Sequence, residues 1–301
     1  MKKNSQVIIV DNFSKQAGKL RSFYEKQFIN PLKMHQKRFV WDHWYVPDQY
    51  RLVRTPAYHY FPQKIYQEFH SALVQWGREN LGCHDISPPW LSYYVEGCEQ
   101  NMHSDVPHGP WAFVFSLSPK ELKFKGGETF LLKPEVLNYW KNFKNEKNRE
   151  ESSFIEKIPP QSNRLIVFDP RIPHGVTEVK GVKDPLEARL VIHGWFVEPR
   201  PYVVGGLSVD QVSAVLSAYL EDLSDTLSKT SEIWGTVSLQ LKVLKNGKVQ
   251  LLSLLTNTLF SVENRQEDVE NLLKKILKDM KNLTFEKSKK NSTIVVPLIF
   301  K

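Results

Sequence analysis

The chain has 301 residues, 41% hydrophobic, 25% charged and 12% aromatic, which excludes a largely disordered or low-complexity protein. Its net charge of +8 comes from lysines interleaved with acids, as on a solvated surface, and not from the blocks expected of a nucleic-acid-binding face. Two cysteines, Cys83 and Cys98, make no disulfide framework, and the four-residue apolar run Val7–Val10 is too short for a secretory signal or a membrane span, so a cytoplasmic protein without a membrane partner is expected.

Val7–Val10 reads as a buried strand. Ser14 stands where it can cap a helix with Leu20, Phe23, Tyr24 and Phe28 on one face. Pro31–Tyr60 is rich in aromatic residues and reads as strand and loop; Trp41, Trp44, Tyr45 and Tyr60 are either core or the lining of a channel. A helix is predicted from Pro62 to Asn80, with Ile65, Phe69, Leu73 and Trp76 at helical spacing. From Trp90 the texture changes to short runs punctuated by Gly and Pro: Leu91–Val95, Trp111–Leu117, Glu128–Leu132, Arg164–Phe168 and Arg189–Phe196. That spacing predicts a β-sandwich or barrel. Pro134–Ser153 is polar and reads as a helix or surface insertion.

Glu198-Pro199-Arg200-Pro201 and Gly205-Gly206 read as a linker, dividing residues 1–200 from a second domain at 208–301. There Ser208 is placed to cap an amphipathic helix. Strands Thr236–Leu244 and Val249–Thr258 flank Asn246-Gly247, a dipeptide favoured in type I′ turns. A helix at Glu267–Leu283 and a strand at Ser292–Phe300 complete a small α+β domain.

The first chemical signal is Asn101-Met102-His103-Ser104-Asp105. Residues two apart on an extended segment share a side, so His103 and Asp105 can bind one metal. His174, in Phe168-Asp169-Pro170-Arg171-Ile172-Pro173-His174-Gly175, can supply a third donor. Two histidines and a carboxylate on one face suit non-haem iron(II); the same donors can also hold zinc for hydrolysis. His108 reads as a loop neighbour of the site, Glu128 as structural, and Arg164 as a surface contact. Gly126-Gly127 lacks the lysine and following helix of a phosphate loop.

In order, the chain offers His103-x-Asp105, the strand Trp111–Phe115, Gly126-Gly127-Glu128, the strand Arg164–Phe168, His174, and then Arg189 with Trp195 six positions on. This order resembles the prolyl-hydroxylase-like branch of the 2-oxoglutarate- and iron(II)-dependent dioxygenases, over roughly Trp90 to Val197. The resemblance implies a double-stranded β-helix (jelly roll), with flanking N-terminal helices. It also implies iron(II) on His103, Asp105 and His174, and 2-oxoglutarate and O2 as cosubstrates, with room for ascorbate. Arg189 would hold the distal carboxylate of 2-oxoglutarate; it lies fifteen positions after His174, a longer gap than usual in this branch, which would include a turn extension at 180–185. Tyr94 or Tyr93 would add a hydroxyl, only one of them facing inward, and Thr129 and His193 would lie beside the cosubstrate. Retention of Asp105 favours hydroxylation over halogenation. The branch makes a peptide or protein side chain the expected substrate, with a free amino acid or other small molecule as the alternative; a non-catalytic peptide-binding protein on the same scaffold is the rival from another class. Residues 235–249 and 295–300 resemble the C-terminal domain of TonB-type proteins, implying substrate recruitment, homodimerisation or support.

Overall fold

The computed structural model describes residues 7–30, 37, 39–105, 108–133, 154–227, 232–263 and 265–300. The stretch Pro134–Ser153, read above as a helix or insertion, lies outside them. The chain divides into two compact units that interleave in sequence: Val7–Ala72 with Ser87–Trp195, and Leu73–Ile86 with Phe196–Lys301.

The first unit contains β1 (Val7–Val10), α1 (Ala17–Phe28), β2 (Asp42–Val46), β3 (Tyr50–Pro56), α2 (Ala57–Tyr60) and the start of α3 (Gln63–Asn80). After β4 (Cys83–Ile86), which belongs to the second unit, come β5 (Trp90–Tyr94), β6 (Glu99–His103), β7 (Trp111–Ser116), β8 (Thr129–Leu132) and β9 (Ile155–Ile158). Then follow β10 (Leu165–Phe168), β11 (His174–Val176) and β12 (Arg189–Pro199), which runs on into the second unit. The strand order is β1-β10-β7-β12-β5-β3-β6-β11-β8-β9, with β2 paired to β3. This antiparallel sheet curls back on itself. Leu131 and Ile158, from one end of the order, pack against Ala112, Ile166 and Phe168 near the other. Each of the leucine, isoleucine and phenylalanine side chains removed from water contributes about 1.5–3 kcal/mol, so the closure is held by its own interior. The result is the jelly roll that the resemblance implies, within the β-sandwich or barrel class predicted by the spacing of the strands.

Local differences from the sequence reading have physical causes. β1 pairs only with β10 and leaves Ile9 exposed, so it is an edge strand and not a buried one. α1 starts at Ala17; the Ser14 hydroxyl accepts from Gln16 N one turn early and leaves the first helical residue uncapped by a side chain. Strands β4 and β9, absent from the reading, are four residues each and carry charged residues between their apolar ends, too short for a period to register.

In the second unit the end of β12 pairs with β4. Beyond it lie β13 (Tyr202–Val204), α4 (Val209–Leu227), β14 (Ile233–Val243), β15 (Val249–Asn257), β16 (Phe260–Ser261), α5 (Gln266–Asn282) and β17 (Ser292–Phe300). The sheet order is β13-β17-β14-β15, with β16 on β14. Part of the expected linker is therefore strand: Tyr202–Val204 pairs with Thr293–Val295, hidden in sequence between Pro201 and Gly205. α5 buries Val269, Leu272, Leu273, Ile276 and Met280, the stripe its periodicity predicts. The Asn246-Gly247 hairpin is not type I′. Gly247 has φ +84° whereas Asn246 is not left-handed, Gly247 N donates to Leu244 O (2.9 Å), and Leu244 N donates to Lys248 O (2.9 Å). That is a three-residue loop closed by a glycine bulge.

Candidate metal centre and cosubstrate cavity

β6 and β11 are neighbours, and His103 stands directly opposite His174 in their register. The next pair is Gln100 with Val176, so β6 spends three residues where β11 spends two. This bulge turns both Gln100 and His103 toward one cavity, although residues three apart on a regular strand face opposite ways. Asp105 lies just past the end of β6, and its backbone N–H donates to Pro170 O (2.9 Å), tying it to the loop that leads into His174. That loop is braced by Asp169, which accepts from Arg171 N (3.0 Å) and Arg171 Nε (2.8 Å).

The three side chains converge. His103 Nε2 is 3.6 Å from Asp105 Oδ1, His174 Nε2 is 3.4 Å from Asp105 Oδ2, and one donor atom of each lies within 4.8 Å of the others. Neighbouring donors on one metal with bonds of about 2.1 Å sit roughly 3 Å apart, so this face can hold a metal ion. The tautomers fit as well. His103 Nδ1 lies 2.7 Å from Asn101 O and His174 Nδ1 lies 2.8 Å from Ile172 O. A carbonyl only accepts, so each Nδ1 carries the proton and each Nε2 presents a lone pair toward Asp105. Burial lowers the pKa of His103, which favours its neutral form. For Asp105, burial acts upward, but the histidines around it lower its pKa overall, so the carboxylate is ionised. Neutral imidazoles beside an ionised carboxylate are the protonation states a metal requires.

Across the cavity, β12 supplies Arg189, which is 1% exposed. Its Nε donates to Gly127 O (2.7 Å), its Nη2 donates to Thr129 Oγ1 (3.2 Å), and its guanidinium lies 4.5 Å from the Tyr94 ring centre. Its Nη1 is buried and has no hydrogen-bond partner among the described residues. Gly-Gly-Glu acquires its reason here. Gly126 and Gly127 both adopt left-handed φ (+76° and +72°). A Cβ on Gly126 would lie 1.8 Å from Glu178 O, and one on Gly127 3.1 Å from Arg189 Cδ. The Glu128 carboxylate accepts from the Thr177 hydroxyl, pinning the turn.

Tyr94 faces the cavity opposite Arg189; its hydroxyl donates to Gln100 Oε1 (2.8 Å), and burial raises its pKa to about 12. Tyr93, the other expected candidate, is not brought there. Its neighbour's inward position turns it to the opposite face, where it packs on Trp41 and Phe28. His193 lines the cavity, bonded through Nε2 to Ser92 Oγ (2.8 Å), and its pKa falls to about 4, from burial first and then the charge of Arg189. His108 stacks on Trp195 (4.5 Å) and is not among the clustered donors. Trp41 and Tyr60 pack on each other (5.1 Å) away from the site, Tyr45 is exposed, and Arg164 is fully engaged at the surface by Asp11 (2.6 and 3.0 Å).

The cavity has a volume of about 720 Å³. It includes Trp44, one of the aromatic residues read as core or channel lining, and residues that sequence reasoning passed over: Tyr50, Arg54, Trp90 and Gln100. Their only advance signal was the density of aromatic residues between Pro31 and Tyr60, since the pairing that folds β3 beside β5 and β6 is long-range.

Residues 89–197 match the family model described as the 2OG-Fe(II) oxygenase superfamily. The matched segment is about a third of the chain and contains His103, Asp105, His174 and Arg189. No curated protein matches the chain. Among solved structures it is similar to a prolyl hydroxylase from Trichoplax adhaerens in complex with a hypoxia inducible factor oxygen degradation domain peptide fragment; identity is 16%, coverage 64% of this chain and 83% of that one, and the TM-score 0.44. A Pseudomonas putida prolyl-4-hydroxylase is 13% identical, covering 64% and 92%, at TM-score 0.44. HygX from Streptomyces hygroscopicus, with nickel and 2-oxoglutarate bound, is 11% identical, covering 63% and 82%, at TM-score 0.42. No helix among the described residues is long and apolar enough to cross a membrane.

Proposed function

We propose that this protein hydroxylates a C–H bond of a peptide or protein side chain, with iron(II) held by His103 Nε2, Asp105 and His174 Nε2. Arg189 anchors the distal carboxylate of 2-oxoglutarate. The observation that carries this reading is the pairing, within one cavity, of an N,N,O donor face with a buried guanidinium whose Nη1 has no acceptor among the described residues. An unmatched buried cation calls for an anion, and a guanidinium edge takes a carboxylate through two hydrogen bonds. When bound, iron(II) couples the oxidative decarboxylation of 2-oxoglutarate by O2, giving succinate and carbon dioxide, to oxidation of the substrate.

The chain's own residues bind and orient. Asn101 O and Ile172 O hold both imidazoles with Nε2 toward the metal position. Gly127 O and Thr129 Oγ1 hold Arg189, and the Tyr94 hydroxyl is kept close by through Gln100. Phe113, Phe168 and Val176 supply apolar wall, which strengthens the charge contacts by thinning the water around them. Ionised Asp105 keeps a carboxylate where a halide would otherwise bind, which supports hydroxylation. Residues 208–301 serve, in this reading, to recruit the substrate chain or to pair two copies; β15 ends its sheet order, so its outer edge can add a strand. Both cysteines are free and buried, in keeping with a cytoplasmic setting.

The test is succinate formation from 2-oxoglutarate by protein loaded anaerobically with iron(II) and then exposed to air, with mass spectrometry of added peptides for one gained oxygen. Wild type should turn over, and His174→Ala should fall to background and lose its iron(II) titration. Background turnover by wild type with and without peptides, or undiminished turnover by His174→Ala, ends the reading.

A further inference from the structure

A second arginine faces the same cavity. Arg54, on β3, lies with its guanidinium 3.1 Å from the Trp44 ring centre and 4.0 Å from that of Trp90, an indole on either face. Stacking uses the faces of the guanidinium and leaves its rim of N–H donors available. Arg54 Nε is buried and accepted by nothing, and no hydrogen bond or ion pair of this side chain is present among the described residues. Asp42 stands across the β2–β3 ladder but is exposed and forms no ion pair with it. A guanidinium gripped this firmly, yet unpartnered at its rim, is preorganised for a ligand.

The sheet register separates the two arginines. On the inward face, Leu52, Tyr94 and Arg189 form one row across β3, β5 and β12, and Arg54, Ser92 and Val191 form the next. Arg54 therefore sits two strands and one row from Arg189, roughly 12 Å between Cα atoms for ordinary strand spacing. Charge says what remains for it. Among the described lining residues Asp105 is the one acid, against two arginines. With iron(II) on the triad and doubly charged 2-oxoglutarate on Arg189, the metal, Asp105, Arg189 and the cosubstrate cancel to zero, and the charge of Arg54 is left over.

We infer that Arg54, clamped between Trp44 and Trp90, is the subsite for a carboxylate carried by the substrate. This inference rests on the oxygenase reading and deepens it by naming the substrate's charge. The carboxylate has two sources, an acidic side chain within a peptide or the α-carboxylate of a free amino acid.

The experiment uses full-length protein loaded with nickel(II) and 2-oxoglutarate to prevent turnover, read by tryptophan fluorescence and calorimetry. One probe pair is acetyl-Gly-Glu-Gly-amide against its glutamine counterpart; the other is N-acetyl-leucine against N-acetyl-leucinamide. In wild type the carboxylate member of one pair should bind about tenfold or more tighter than its amide, as a charge-assisted contact implies. The pair that responds identifies the source. The preference should vanish in Arg54→Met and shrink in Arg54→Lys, which keeps the charge without the planar fork, while 2-oxoglutarate affinity stays within about twofold in both. If Arg54→Met does not fold, Arg54→Lys carries the comparison. No carboxylate preference in wild type, or an undiminished one in the variants, overturns the inference. A parallel loss of 2-oxoglutarate affinity overturns it too and moves Arg54 to the cosubstrate. Failure of wild type to bind 2-oxoglutarate at all is a separate outcome, which removes the oxygenase reading itself.

Discussion

The two units differ in the charge of what they bury: each leaves a tyrosine hydroxyl unpaired among the described residues, Tyr60 in the jelly-roll unit and Tyr219 in the other, but the 1% exposed Arg189 belongs to the jelly-roll unit. Beyond Leu207, the buried serines, threonines and asparagine stay within backbone hydrogen bonding: Ser238 Oγ donates to Leu81 O (3.0 Å), Asn257 Oδ1 accepts from Leu259 N (3.0 Å), and Thr256 Oγ1 accepts from Ser238 N (3.1 Å). In the jelly-roll unit the buried polar set includes Arg189, His174 and Asp169, and the cation keeps an N–H without an acceptor among the described residues. Satisfied groups contribute to the fold at modest net value each, whereas an unsatisfied charge costs stability and is retained where it does something else. An unpaired neutral group such as the Tyr60 or Tyr219 hydroxyl lies outside the cavity, whereas the unpaired buried charge of Arg189 lines it.

Arg189→Met gives this contrast its largest test. Removing the cation should raise the concentration of 2-oxoglutarate needed for half-saturation on the order of 10³-fold, since two charge-assisted hydrogen bonds are lost. The melting temperature of the ligand-free variant should equal or exceed that of wild type, because an unmatched buried charge is gone and a flexible apolar chain of similar length replaces it. Titration calorimetry and thermal melts check the two halves. A variant that binds 2-oxoglutarate normally, or that melts several degrees lower, would make Arg189 structural and erase the distinction between the units.

His193 offers a smaller effect of the same kind. Its pKa falls from an ordinary value near 6.5 to about 4 in the folded protein, because burial and then Arg189 disfavour its charged form. The unfolded chain therefore binds more protons between those values, and stability is lost as pH falls from about 6.5 through 4. The loss amounts to at most roughly 3 kcal/mol. Denaturant unfolding of metal-free wild type and His193→Gln across that range isolates this residue, since the other histidines cancel in the difference. The wild-type advantage at pH 7 should shrink steadily toward pH 4; a constant difference would mean that His193 is not held neutral by its surroundings.

How much of this was legible in the sequence follows the range of the interactions. The triad His103, Asp105 and His174 stood out because short motifs carry its ligands, and Arg189 because a fixed six-residue spacing to Trp195 accompanies it. The α5 stripe was legible because helical periodicity is local. Gly126 and Gly127 could be seen as a turn, but not as the seat of Arg189, since their partner is about sixty residues away. Arg54 left no trace, because its clamp joins β2, β3 and β5 through pairings no local pattern encodes. The hairpin at Gly247 was misread for a different reason: the same dipeptide serves two loop lengths, and the choice depends on which residues the strands pair.

The smallest effect tests the architectural half of the comparison. Ser208 and Gln211 form a reciprocal cap at the start of α4: Gln211 N donates to Ser208 Oγ (3.2 Å), and Ser208 N donates to Gln211 Oε1 (2.9 Å). This box was visible as a serine ahead of an amphipathic run, and it satisfies two donors that the first helical turn leaves free. Ser208→Ala should cost about 1 kcal/mol, read as a shift in denaturant midpoint with an unchanged slope. The 2-oxoglutarate affinity should not move, because a satisfied hydroxyl holds only the helix it caps. If affinity falls with the cap, then satisfied groups in the second unit also serve the site, and a buried charge without a partner ceases to be what separates a working residue from a supporting one.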